Sequence, residues 1–255
     1  AALMLTKYEK PQEAFLMLLE NEKIMKEEGF KTSPYLGIAA HALLLTCPPE
    51  LARERAQKSM EIYKIMKKNH FWLTGSDDYP VAVLLAGEEN TEHMMSEMEV
   101  VYENLHRDGF TRSNGLQFLS HLLAFSDGAV SEKITKCKEI YDFFKGKGLR
   151  ISPTYYGIIG FIALLGKQST EALNEVLEAY NYLKSASNFK KSYRDMNLLI
   201  ISALVSNEYV RGSKQSSITE TGINVSIQAA IEAQTAALIA ATSAVTIAAS
   251  TTASN

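Results

Sequence analysis

Apolar positions recur at steps of three and four along most of the chain, the spacing that lines one face of an α-helix. Met95, Met98, Tyr102 and Leu105 form one such stripe, Ile134, Cys137, Tyr141 and Phe144 a second, and Ala56, Ser59, Tyr63 and Met66 a third in the same frame. Leu173, Val176, Tyr180 and Leu183 repeat it one residue further from the following loop, which implies an insertion near 185–188, and Phe15, Leu18 and Met25 open the series. Each stripe runs into a short loop that ends on a large apolar residue: EEGF at 27–30, KNHF at 68–71, RDGF at 107–110, GKGL at 146–149 and SNF at 187–189. The closing residues Phe30, Phe71, Phe110, Leu149 and Phe189 are 41, 39, 39 and 40 apart, so the chain predicts five copies of one unit.

Three positions after each closing residue stands a hydroxyl: Ser33, Thr74, Ser113, Ser152 and Ser192. Such a side chain can accept from the orphan amides of a helix start, and Pro34 and Pro153 fit the first helical position. These residues are therefore expected to cap a second, shorter helix, as over 36–45 or 155–165. Gly29, Gly109 and Gly148 fall where the first helix needs a left-handed closing residue, with Asn69 and Asn188 as substitutes. Pro48-Pro49, Gly87, Asp127-Gly128 and Gly166 separate one unit from the next. The reading is all-α: about ten helices forming five αα-hairpins over 7–208, stacked as an α-solenoid nearer the HEAT period than the TPR one. A non-repetitive bundle is the competing arrangement. Tyr63, Tyr102 and Tyr141 should then be mostly buried, each with a polar partner at its hydroxyl.

The helical-repeat domain is expected to end at 208, with a linker over 209–223. From 224 to 255 the composition shifts to Ala, Thr, Ser and Ile. The run is long enough to cross a bilayer, but Glu232, Gln234 and its small side chains argue for a helix that packs. Ile227, Ile231, Leu238 and Val245 are expected to cover Leu198, Leu199, Ile201 and Leu204 of the last hairpin, or to pair with a dimer mate. Packing on the same chain and a homodimer through the C-terminal helix are thus both open, and a membrane span is the disfavoured arrangement.

Charge narrows the classes of partner. Lys and Arg number 26 against 29 Asp and Glu, a net charge of -3, so no basic field exists to hold nucleic acid. The two cysteines, Cys47 and Cys137, match no disulfide or zinc-ribbon spacing, which suits a cytoplasmic protein. No HExxH, GxSxG or Walker motif occurs, so neither catalytic residues nor a cofactor are predicted.

One acidic pair stands out, Asp77-Asp78. Adjacent carboxylates suit a metal or acid–base chemistry. They also suit the first turn of a helix, where Thr74 with Asp77 resembles a capping box, and this reading is preferred. His41 and His121 share a repeat position but stand two units apart, roughly 20 Å at helix packing distances, too far to share an ion. His70, His93 and His106 are read as solvated. Seven positions after their closing residues come Asp78, Gln117 and Tyr156, with Asn114 and His121 one turn from Gln117. Asp77, Asp78, Asn114, Gln117, His121 and Tyr156 thus form a candidate polar row on a surface built by successive hairpins. The expected function is a non-catalytic module that binds a peptide or protein. The alternative is a metal-dependent, hydrolase-type enzyme using Asp77, Asp78 and His121.

The segments LTGSDDYPVAVLLAG at 73–87 and GFTRSNGLQFLSHLLAFSD at 109–127 are similar to those of an uncharacterised family of all-helical bacterial proteins. The resemblance implies a bacterial, cytosolic origin and carries no chemistry.

Overall fold

Ten α-helices and a few single 3-10 turns make up the structure, a computed structural model that describes residues 8–126, 128–185 and 194–211, and no strand occurs among those residues. The helices are α1 (Pro11–Glu27), α2 (Pro34–Thr46), α3 (Ala52–Asn69), α4 (Tyr79–Ala86), α5 (Thr91–Arg107), α6 (Asn114–Ala124), α7 (Val130–Gly146), α8 (Gly157–Ala163), α9 (Ser169–Ser185) and α10 (Arg194–Arg211). Long and short helices alternate as expected up to α9, after which α10 is again long and runs past 208 to Arg211.

The glycine loops explain why three of the hairpins turn alike. Gly29 and Gly109 have φ of 101° and 99°, a left-handed conformation that side chains resist. The amide of Phe30 then donates back to Met25 O and that of Phe110 to Leu105 O, while the glycine amides donate to Lys26 O and His106 O. Leu149 and Gly148 repeat both bonds onto Phe144 and Lys145. This double closure uses orphan carbonyls at the helix end and tucks the apolar residue under it. Phe30 and Phe110 are accordingly buried.

The second hairpin departs from this pattern. It lacks the glycine, and Asn69 is the last residue of α3 rather than a left-handed cap, since no described non-glycine residue has positive φ. Thr74 is not an N-cap either. Its hydroxyl donates to Met66 O at 3.2 Å, and the reciprocal cap at the next helix start pairs Gly75 N–H with Asp78 Oδ2 at 3.0 Å. The loop is longer here, and Phe71 projects into solvent instead of closing the turn. Of the other expected caps, Ser113 Oγ accepts from Leu116 N at 3.1 Å. Ser33 precedes α2 with its hydroxyl buried and without a hydrogen-bond partner among the described residues, and Ser152 leads into a 3-10 turn without a side-chain cap. Ser192, Asn188, Phe189 and the predicted insertion after 185 lie outside the described residues, as do the tail from 212 onward and its expected contacts.

In α1 the buried stripe is Ala14, Asn21 and Met25, with Leu18 partly buried, so Phe15 sits on the outer face rather than in the stripe. Tyr102 is fully buried, whereas Tyr63 and Tyr141 are half-buried. Tyr63 bonds Tyr79, and Tyr141 packs against the rings of Phe110 and Tyr156.

Each hairpin grips the loop of the one before it. The Tyr79 hydroxyl accepts from Lys31 N at 3.3 Å while its ring meets Phe30 edge-on at 4.8 Å. Tyr156 repeats the arrangement on Thr111 N at 3.2 Å and Phe110 at 4.9 Å. Asp195 Oδ2 accepts from Ser152 N at 3.1 Å in the last step. Packing follows the same order, α2 against α4, α6 against α8 and α8 against α10. Between the second and third hairpins the apolar continuity weakens. One core gathers Met25 to Ala86 with Met98, Ala124 and Phe125, and a second runs from Val101 to Val210. Of the polar residues singled out from the sequence, all but Tyr156 lie at this seam.

Candidate functional site

Five of the six expected site residues come together where α3 and the loop 70–78 meet α5 and α6. Gln117 Nε2 donates to Thr74 Oγ1 at 3.1 Å, tying α6 to the loop. One turn further, His121 Nδ1 lies 3.5 Å from Asp78 Oδ1, with both side chains almost wholly buried. Asn114 is exposed at the start of α6 and hydrogen-bonds Asp77, which is partly buried. Tyr156 does not join them. It is buried in the next interface, where it is the counterpart of Tyr79, so the register carried across the longer loop of the second hairpin is displaced by one.

The row is thus mainly a buried inter-hairpin contact whose accessible end is Asp77 and Asn114. The sequence reading missed His70 here. Its Nε2 lies 2.7 Å from Glu99 Oε2, and its ring packs on Tyr102 at 4.8 Å, so it is not a solvated histidine. His106 also has a partner, with Nδ1 3.0 Å from Phe110 O, while His93 is exposed. His41 pairs with the hydroxyl of Tyr8 at 3.2 Å. A signal for His70 was present: KNH replaces the glycine loop of the other hairpins, and a polar residue in a turn of unusual length needs its own partner.

Electrostatics at the seam favour neutral forms. Burial, with the Asp77 charge adding to it, holds the Asp78 carboxyl well above the ordinary carboxylate range, against the stabilising Gly75 N–H. Burial and the field of His70 pull His121 down to about 4. Withdrawal from water outweighs the mutual attraction of the pair, the common outcome when charges are desolvated together. His121 Nδ1 consequently has no hydrogen-bond partner among the described residues. Burial also opposes ionisation of Glu99, but hydrogen bonds from His70 and Asn69 prevail and lower it. A narrow pocket with room for about one water molecule opens beside these groups, bordered by Met66, His70, Met95, Met98, Glu99 and His121 among others. No group of three or more His, Cys, Asp or Glu side chains among the described residues could hold a metal ion.

An amide fits the position of Asp78 better than its acid. Asparagine there can accept from Gly75 N–H and donate to the orphan His121 Nδ1 without burying charge. Asp78→Asn is expected to stabilise the metal-free protein at pH 8 by about 1–2 kcal/mol. The sign follows from linkage: a carboxyl whose folded pKa is raised destabilises the fold progressively as pH climbs above the unfolded value near 4. Thermal melts of both proteins from pH 4 to 8 should diverge upward in pH. A gap that widens toward pH 4 instead contradicts the assignment.

An all-helical chain with hairpins latched in sequence and a polar seam in mid-molecule is the class that fold and site define. The chain belongs to the family described as protein of unknown function (DUF4003), which it matches over residues 1–236. It is also 26% identical over 226 residues to the uncharacterized protein YeaA of Bacillus subtilis (strain 168), an alignment that covers 88% of this chain and 66% of that protein. No solved structure matches.

Proposed function

We propose that the protein is a non-catalytic interaction module of α-solenoid type, docking a protein or peptide on the surface that successive hairpins build. The sequential latching of hairpins supports the solenoid reading. One observation carries the binding role: Trp72, the only tryptophan, is 91% exposed, and Phe71 beside it is 61% exposed. Their rings meet edge-on at 5.2 Å. Two large apolar side chains held in water are unfavourable for the fold alone, and tryptophan is the residue most enriched among interface anchors. Both feet of the tip are fixed, His70 to Glu99 and Thr74 to Gln117, so the aromatic pair is presented on a preorganised loop. The buried free thiols of Cys47 and Cys137 suit a cytoplasmic setting, and no helix among the described residues is long and apolar enough to cross a membrane. Pairing of two copies through 224–255 stays part of the proposal.

The test compares full-length wild type with Trp72→Ala as bait in an extract of the source organism. A protein retained in stoichiometric amount by wild type should be lost with the variant, whose stability stays within about 0.5 kcal/mol because the side chain touches little. Equal retention by both baits, or none by wild type, overturns the anchor. The second reading, a hydrolase built on Asp77, Asp78 and His121, draws on the Asp78–His121 contact. A stoichiometric divalent metal that disappears in Asp78→Ala would carry it instead.

A further inference from the structure

We propose that the pocket between the second and third hairpins binds a soft monovalent cation, copper(I), through the thioethers of Met66, Met95 and Met98 and the imidazoles of His70 and His121. The opening has room for about one water-sized body, which suits an ion or a water. Three of the chain's nine methionines and two of its five histidines border that one opening. Methionine often fills gaps in cores, which accounts for an apolar wall. It does not account for the histidines.

His70 carries a carboxylate on one ring nitrogen, its Nε2 lying 2.7 Å from Glu99, whereas His121 Nδ1 faces the Asp78 carboxyl at 3.5 Å without a hydrogen bond. The remaining nitrogens, His70 Nδ1 and His121 Nε2, make no hydrogen bond among the described residues. Metal-ligating histidines characteristically place their second nitrogen against a carboxylate, which fixes the ring and raises its basicity. One imidazole so backed and a second that faces a carboxyl, both bordering one pocket with three thioethers, form a donor set that a water does not require. Glu99 is engaged by His70 and Asn69, so the carboxylate nearest the opening is already committed. With thioethers in the majority, the set suits a soft ion and not magnesium, calcium or zinc. Met66 and His70 come from the second hairpin and the other donors from the third, so the ion would join the two.

The experiment is an anaerobic titration of the full chain with copper(I) against a chromophoric chelator, followed by silver(I) in methyl-labelled methionine NMR. One equivalent of copper(I) should be withheld from the chelator, and silver(I) should shift the methyl signals of Met66, Met95 and Met98. Met66→Leu combined with Met98→Leu should weaken binding at least 100-fold while keeping the helical signal. Asp78→Asn acts as a probe of positioning and should weaken binding about 10- to 100-fold although the metal-free fold is no less stable. A variant lacking Cys47 and Cys137, the chain's other soft ligands, should bind as wild type does. Failure of the wild type to withhold copper(I), methionine signals unmoved by silver(I), or binding lost with the cysteines overturns the site. These outcomes are independent of whether Trp72 anchors a partner.

Discussion

Lys133→Met is expected to lower stability by about 3–5 kcal/mol, the range for breaking a buried ion pair. Lys133 is 7% exposed near the start of α7. Its ammonium donates to Leu123 O at 2.9 Å and Ser126 O at 2.6 Å, and it pairs with Glu97 of α5. One side chain thereby closes the C-terminal end of α6, where unsatisfied carbonyls and the negative end of the helix dipole favour a cation. Methionine keeps the length of the stem but leaves the Glu97 carboxylate buried without a counter-charge. A protein of this size should lose roughly 10 °C in Tm. The double variant Lys133→Met, Glu97→Leu should recover most of that loss, because no uncompensated charge is left. A single variant that melts within about 2 °C of wild type would contradict the role assigned to the pair.

Gly115→Ala is expected to be comparably damaging for a steric reason. A Cβ at Gly115 would lie 2.0 Å from Pro153 O and 2.9 Å from both Thr154 C and Thr154 O. These are backbone atoms of the next hairpin, held by their own contacts: Ser113 Oγ donates to Pro153 O at 3.1 Å, and Tyr155 N donates to Ser152 O at 2.8 Å. They have no rotamer to change, so α6 must separate from the 153–155 turn or tilt against it. Interiors packed at crystal density resist such shifts, and the expected loss is about 3 kcal/mol even after the better helix propensity of alanine is counted. Gly37→Ala in α2 is the matched control. Nothing lies within 4 Å of its added methyl, so stability should hold or rise by up to about 1 kcal/mol. Equal effects of the two substitutions would remove the close-approach explanation.

Repeat structure was legible in the sequence wherever one local rule governed it. EEGF, RDGF and GKGL each specify a left-handed glycine and a tucked apolar residue, and all three form that closure. KNHF has the same spacing but no glycine, so the alignment that placed Phe71 beside Phe30 and Phe110 followed distance rather than mechanism. The same one-residue displacement put Tyr156 in the polar row, when its hydroxyl and ring instead match Tyr79. Gathering of Asp78, Gln117 and His121 was readable because Asp78 and Gln117 stand near helix starts seven positions after their closing residues, and His121 lies one turn beyond Gln117 on the same helix. The share of His70 and Glu99 in the cluster was not, since it depends on how far the longer loop reaches across to α5. Lys133 was missed for a different reason. It stands four residues before Cys137, in line with the buried stripe, and a charge at such a position reads as solvent-facing until its partners are known.

The seam also governs how the molecule can bend. Along one edge, Met98, Ala124 and Phe125 of the third hairpin interdigitate with the first core, an apolar contact that opens only against the hydrophobic effect. Beside this contact the two halves meet through Gln117 with Thr74 and His70 with Glu99, groups that water can serve nearly as well. Such a joint is uneven: exchange with water lowers the cost of parting the polar contacts, while the apolar contacts resist parting. Because the Phe71–Trp72 tip is rooted by His70 and Thr74 in those polar contacts, any motion that parts them also releases the two aromatic rings from their fixed presentation.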